Sequence, residues 1–313
     1  MTNIISNGLY NEELKRRFFK EKESQVASTR HICIQFEKCA QTEMELQKDI
    51  SNWTLYEITD YYKVLGTPYF EALRISNSIF SQYCQFCMEN NLVKDNQNHF
   101  LECTDEVLLN CVSKIKLNKS IISREQLIAM VDAIPNPKDQ FILMSFFEFG
   151  KSKDYKDIVY AKFSDLDREN KTLQLQNRKV KISSKLISII DDCEKTNKYY
   201  SISGSESREC TLIDYGYIVK SYPNQNPNAS DIQKGRNIYR ACERVFMFLG
   251  VIDELSINSI TNSGKLHFIE TLAKKYSMSK MDILYSEHLK EVEEQFGSEI
   301  YRGVFTKKYR EYL

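Results

Sequence analysis

Apolar residues recur at helical spacing through nearly all of this 313-residue chain and switch to strand alternation in one short stretch, Leu173 to Ile182. Leu173 and Leu175 alternate there with polar neighbours, as do Val180 and Ile182, and Gln176-Asn177 separates the two runs. Period two marks a half-buried strand, and a polar pair between two such runs marks a tight turn. The chain is therefore expected to be mainly α with a small antiparallel β-hairpin.

The helices announce themselves by stripe and by cap. Leu14 and Phe18 follow one 3.6-residue stripe, and Ile32, Phe36 and Ala40 another. Thr54-Leu-Tyr-Glu57 has capping-box spacing and opens a helix through Tyr62 to Leu65. A fourth helix is expected from Tyr69 to Asn90, with Leu73, Ser76, Phe80, Tyr83 and Cys87 on one face and Asn90-Asn91 as its stop. Ser123-Arg-Glu-Gln126 is a second capping box, opening a helix with Leu127, Met130, Val131 and Ile134 inward, and Pro135-Asn-Pro137 ends it. Asp139 to Phe149 is apolar nearly all round, as a central buried helix must be, and Gly150 fits its C-cap. Ser183-Ser184 caps a helix through Leu186, Ile187 and Ile190. Residues 201–231, with Gly204, Gly216, Pro223 and Pro227, read as mostly loop with room for one short helix. Three more helices follow: Ile238 to Gly250, Ser263 to Tyr276, and Lys280 to about Phe296.

A chain of this length exceeds what one core usually organises, so two domains are expected. Polar residues at Lys94 to Asn98 and Lys114 to Ser120 mark the linker, giving a helical domain over 1–115 and a second over 120–313. Hydrophobic content of 42% suffices for two packed cores and excludes a wholly disordered chain. Met1 to Tyr10 has neither the basic nor the apolar region of a leader, and no apolar run approaches the ~18 residues of a membrane span. A cytoplasmic location with nine reduced cysteines is the expectation. Cys84-Gln-Phe-Cys87 has metal-like spacing but no second pair, so it reads as packing thiols and no metal site is expected. His31 and His99 read as structural or surface residues, and no Gly-rich phosphate loop or cofactor motif is present.

The order of these parts resembles the tyrosine recombinases, or phage integrases. Ser76 to Lys94 resembles the last helix of that family's core-binding domain, and Ser123 to Gly150 the entry to its catalytic domain. Tyr160-Ala-Lys-Phe-Ser-Asp-Leu-Asp167 is similar to the family's "aLkWsDID" segment, and Asn262-Ser-Gly-Lys-Leu-His-Phe-Ile-Glu-Thr-Leu272 to its "HsLRHtfaThL" box. The resemblance covers nearly the whole chain and implies a two-domain tyrosine-recombinase architecture.

It also implies where the chemistry should sit, and the residues depart from it. The family uses a tyrosine nucleophile, two arginines that grip the scissile phosphate, a hairpin lysine, and histidine or tryptophan partners. Arginine suits the task because its planar fork neutralises two phosphate oxygens at once. Counting from Gly150 puts Ser152 in the first arginine's place, and counting back from Asp167 puts Asp154 there. In the second box the histidine falls on Asn262 and the arginine on Lys265, while His267 is one place off. Arg178-Lys179-Val-Lys181 occupies the hairpin-lysine region, and Tyr301 and Tyr309 are both displaced from the nucleophile's position. Losing one preorganised donor costs ~10²–10³ in rate, so no catalytic residue is assigned and no enzyme is expected; a divergent active integrase is the alternative.

What remains is a charge map. The chain is neutral, 43 basic against 43 acidic residues. Residues 151–181 nevertheless carry nine basic against five acidic side chains, and 234–244 four against one. Arg236, Arg240 and Arg244 fall at i, i+4 and i+8, one stripe on a helix that could follow phosphates and reach guanine edges. The candidate contacts to double-stranded DNA are Lys151, Lys153, Arg178, Lys179, Arg236, Arg240, Arg244 and Lys265. Glu287 to Glu299 is an acidic counterpart, and the basic tail from Arg302 is either an oligomerisation arm or a terminal helix docking in cis. The resulting expectation is a sequence-specific transcriptional repressor on a recombinase scaffold, clamping a duplex between its two domains. It is similar in this to the lysogeny-maintaining repressors of SPbeta-like prophages.

Overall fold

A computed structural model of the chain describes residues 8–23, 29–202, 208–226 and 228–313. Residues 1–7, which carry most of the leader reading, and Gly204 and Pro227, two of the loop markers, lie outside the described residues. The chain divides into two compact units, Met1–Asn118 and Lys119–Leu313.

The first unit contains helices α1 (Glu12–Glu23), α2 (Arg30–Leu46), α3 (Leu55–Leu65), α4 (Phe70–Glu89) and α5 (Asp105–Asn110), and most of α6 (Lys114–Ser120). The run expected to be a linker is thus helical at 114–120. The other expected linker stretch folds back on α4, where the Asn98 amide donates to the Ser81 carbonyl at 3.0 Å. The Thr54 box forms as read: its hydroxyl accepts from the Glu57 backbone and Glu57 accepts from that of Thr54. All five residues named on α4 are buried, and Asn91 takes the left-handed conformation beyond its end, φ 57°.

Of the expected α1 stripe, Phe18 faces the core and Leu14 is half-buried; Lys15 and Phe19 face the core as well. Lys15 can do so because Glu43 on α2 accepts from its ammonium at 2.7 and 2.8 Å, beneath the rings of Phe36 and Tyr83. Burial pushes Glu43 up to about 7, so this matched pair, and not either charge alone, makes the site tolerable. Cys84 and Cys87 are buried in the same core, and burial pushes the Cys84 thiol up to about 12. His99 bridges Asp95 and Glu102 at 2.9 and 2.7 Å. Among the described residues no group of His, Cys, Asp and Glu could hold a metal ion, and no helix is long and apolar enough to cross a membrane.

The second unit comprises α7 (Arg124–Ala133), α8 (Pro137–Glu148), α9 (Lys156–Val159), β1 (Leu166–Asp167), β2 (Thr172–Gln174), β3 (Lys179–Lys181) and α10 (Ser184–Lys195). There follow β4 (Lys198–Tyr200), β5 (Glu209–Thr211), α11 (Asp231–Phe248), α12 (Ile257–Tyr276), α13 (Lys280–Tyr285), α14 (Leu289–Phe296) and α15 (Arg302–Tyr309). Helix α8 is the central one, with α7, α10, α11 and α12 packed on it. Its approach to α12 depends on Gly264, where a Cβ would stand 1.8 Å from the Phe147 carbonyl oxygen.

The hairpin pairs Leu173 with Val180, and the Leu175 N–H closes its turn on the Arg178 carbonyl at 2.8 Å. Strand β1 adds a third antiparallel strand through Leu166 opposite Leu173. A second sheet, β4 with β5, occupies part of the region expected as loop with a short helix; among the described residues no helix forms there. The last helices differ in their bounds. Ser230 and Ser256 cap α11 and α12 several residues earlier than apolar spacing suggests. The helix expected from Lys280 to Phe296 is broken around His288, whose ring stacks on Tyr276 at 3.8 Å. The basic C-terminal segment docks in cis: Phe305 and Tyr309 are buried, α15 packs on α13, and Lys280 donates to the Tyr312 carbonyl.

Candidate nucleic-acid interface

The basic residues of the hairpin part company at Arg178. Its guanidinium turns inward and is only 15% exposed. One terminal nitrogen donates to Asp157 Oδ2 at 2.8 Å and to the Phe149 carbonyl at 2.9 Å; the other donates to the Glu294 carbonyl at 3.1 Å and to that of Gln295. These carbonyls lie at the C-terminal ends of α8 and α14, where unpaired acceptors and the helix dipole favour a cation. Gln295 completes the joint by donating to the Glu148 and Lys181 carbonyls at 2.9 and 2.7 Å and accepting from the Lys181 N–H at 3.1 Å. Gly297 is required beside it, since a Cβ there would meet Arg178 Nε at 2.7 Å. The fork is used up inside the unit, which corrects the expectation that Arg178 contacts DNA. Nothing in the local sequence marks Arg178 off from Lys179, which is exposed and faces Asp167 at 3.7 Å.

The positions that the sequence resemblance pairs with a recombinase's phosphate-gripping arginines are Ser152 or Asp154, and Lys265. After Gly150, φ 76°, the chain runs through exposed Lys151 and Lys153, and the Ser152 hydroxyl accepts from the Asp157 N–H at 2.8 Å. Asp154 and Tyr155 are both left-handed, at φ 54° and 56°, a costly pair of conformations for residues with a Cβ. Gly235 on α11 makes room for them; a Cβ there would stand 2.5 Å from the Asp154 carbonyl oxygen. In either register of the resemblance, then, the residue expected at the first arginine's position is a short polar one that accepts from a backbone N–H or belongs to a constrained turn.

On α12, Lys265 is buried and donates to Ser298 Oγ at 2.9 Å, with its ammonium 5.9 Å from the Phe296 ring centre. Burial pushes it down to about 8, against the attraction of Glu293 and with the repulsion of Lys151. It too is placed as an internal residue and not as an outward contact. Of the displaced tyrosines, Tyr301 is 75% exposed at the start of α15, whereas Tyr309 is buried against Phe305.

Helix α11 presents the opposite arrangement. Arg236 and Arg240 are exposed and make no hydrogen bond or ion pair among the described residues. Arg244 is half-buried and turns toward a cavity beside Lys138, so the three-arginine stripe expected on the surface is two arginines long. Lys151, Lys153 and Lys179 remain outward. A helix with two unpaired guanidiniums one turn apart can follow phosphates or reach base edges.

A helical unit followed by a helix-rich unit with a three-stranded sheet and this sequence of helices defines a protein of tyrosine-recombinase fold. Residues 9–89 match the family model described as "MrpR, N-terminal core-binding domain", and residues 121–312 that described as "MrpR, C-terminal catalytic domain". The chain belongs to the MrpR family. Among curated proteins none matches it. Solved structures similar to it include the XerA recombinase, at 11% identity over 96% of each chain with a TM-score of 0.40. Another is the Tn1549 transposon integrase in complex with circular intermediate DNA, at 10% identity over 92% of this chain and 96% of that one, with a TM-score of 0.43.

Proposed function

We propose that this chain is a sequence-specific DNA-binding repressor on a tyrosine-recombinase scaffold, that it does not recombine DNA, and that it maintains prophage lysogeny. One contrast carries the reading. Where recombinase chemistry needs two arginine forks, the chain has Ser152 or Asp154 and a buried Lys265, while Arg236 and Arg240 stand outward on α11 with no partner among the described residues. Each missing charge-stabilising donor would cost ~10²–10³ in rate, so strand exchange would fall by about 10⁴ or more. Binding does not need those forks, because affinity for duplex DNA comes mainly from phosphates and specificity from base edges. The exposed set proposed to touch DNA is Arg236, Arg240, Lys151, Lys153 and Lys179. Overall neutrality keeps non-specific affinity modest, which suits a protein that must find one site among many.

The test has two arms. Selection from a random duplex pool with the full chain should enrich one sequence, and Arg240→Glu should weaken its gel shift. A nicked suicide substrate built on that sequence should then yield no covalent adduct. An adduct at Tyr301, the exposed tyrosine, would establish the alternative, a divergent active integrase.

A further inference from the structure

The second unit contains a cavity of about 250 Å³ between α11, the N-terminal part of α8 and residues 215–226. Four cationic side chains line it, Lys138, Lys220, Lys234 and Arg244, and among the described residues no carboxylate does. Its floor is apolar, and four tyrosines, Tyr160, Tyr215, Tyr217 and Tyr222, form much of its wall.

The cations are not equally satisfied. Lys220 is held by Asp214 at 3.2 Å and by three oxygen acceptors, from Glu194, Thr196 and Asn197. Lys234 lies over the Tyr160 ring and reaches that hydroxyl at 3.5 Å; the hydroxyl in turn donates to Asp231. Lys138 is buried, donates to the Lys220 carbonyl at 2.6 Å, and sits 4.0 Å from the centre of the Tyr222 ring. Its neighbour Asp139 turns to Asn136 and makes no ion pair with it. Burial pushes Lys138 down to about 8, against the attraction of Asp139 and with the repulsion of Arg244. Arg244, on the same wall, makes no hydrogen bond or ion pair among the described residues. A cavity lined by apolar, aromatic and cationic side chains and, among the described residues, by no carboxylate is complementary to a flat anion.

We propose that this cavity binds a small organic anion bearing a planar ring, with the anionic group between Lys138 and Arg244 and the ring against the tyrosines. The site is distinct from the outward arginines: on α11 its residues are Lys234, Asn237, Ile238, Ala241 and Arg244, whereas Arg236 and Arg240 do not line it. It therefore supplies a place where a metabolite-sized signal can act on the helix without occupying the DNA face.

The probe is 8-anilinonaphthalene-1-sulfonate, a fused-ring sulfonate, titrated by fluorescence into the full chain, with the uncharged N-phenyl-1-naphthylamine in parallel. One saturable sulfonate site is expected, with the neutral compound bound about tenfold more weakly or worse. Arg244→Glu should weaken the sulfonate about tenfold or more, and the exposed Lys290→Glu, the same charge change on α14, should leave it unaltered. Lys234→Glu, nearer the start of α11, gives a second reading should the Arg244 variant fail to fold. A saturating duplex should not displace the probe. The proposal is overturned by the absence of a saturable site, by equal affinity for the neutral compound, by both cavity variants binding as Lys290→Glu does, or by displacement on adding DNA, which would assign the cations to a phosphate backbone.

Discussion

Arg178 and Arg240 carry the same guanidinium into opposite surroundings. Arg178 sits at the hairpin turn, and its fork is divided among one carboxylate and three helix-end carbonyls. Arg240 sits mid-helix on α11 with solvent on its side and no partner among the described residues. An arginine whose terminal nitrogens are engaged by the protein holds elements together; one whose donors are all free is available to a ligand. The position of free guanidiniums is thus more informative than the number of basic residues.

The largest effect that can break this contrast is at Arg178. Arg178→Ala leaves the buried Asp157 carboxylate and the carbonyls of Phe149, Glu294 and Gln295 without their donor, and should cost about 3–5 kcal/mol in denaturant unfolding. Arg178→Lys should recover only part of this, since an ammonium cannot span the same acceptors. A variant with unaltered stability that has lost DNA binding would move Arg178 to the interface and undo the comparison. The second effect is the mirror image. Arg240→Glu should cost about 1–3 kcal/mol or more in operator binding by gel shift while changing stability by under about 0.5 kcal/mol. Each phosphate left without its cation should also lower the salt slope by about one. A strong loss of stability at Arg240 with no change in binding would reverse the assignments.

Sequence carried the architecture further than the site. Caps at Thr54, Ser123 and Ser183, the all-round apolar helix ending at Gly150, and the Leu173–Val180 hairpin are local features, and each forms where spacing places it. The second sheet is hidden because β4 and β5 lack the apolar alternation that Leu173, Leu175, Val180 and Ile182 give the hairpin, and no tight-turn pair joins them. Lys15 is hidden because its acceptability depends on Glu43, 28 residues away and on another helix. The same applies to the site. Arg178, Lys179, Arg240 and Arg244 are alike in a charge count, and only the fold decides which meet carbonyls, which meet solvent and which meet a cavity. Charge is legible in sequence; the long-range partner that uses it up is not.

Lys265 offers the smallest and most specific test of that point, because its burial lacks the matched carboxylate that Lys15 has. Glu293, Lys151 and Ser298 are the groups that act on it, and of these only Ser298 accepts from it directly. Its folded value lies near 8 against the ordinary 10.5. Below pH 8 the lysine is charged in both states, so the full cost of burying the charge is present. As pH rises through 8 the folded chain releases this proton while the unfolded chain still holds it, so stability grows from this group until about pH 10.5. Lys265→Met, of similar volume and without charge, should accordingly be the more stable chain at pH 7, and its advantage should shrink by about 1 kcal/mol between pH 8 and 9. Comparing the two chains cancels the thiols, the tyrosines and Lys138, which titrate alike in both. If the advantage were independent of pH, Lys265 would already be neutral or fully solvated. If the Lys265→Met substitution also weakened operator binding at pH 7 as strongly as Arg240→Glu does, the lysine would belong with Arg240 on the outside, and the division between internal and external cations would have to be redrawn around α12.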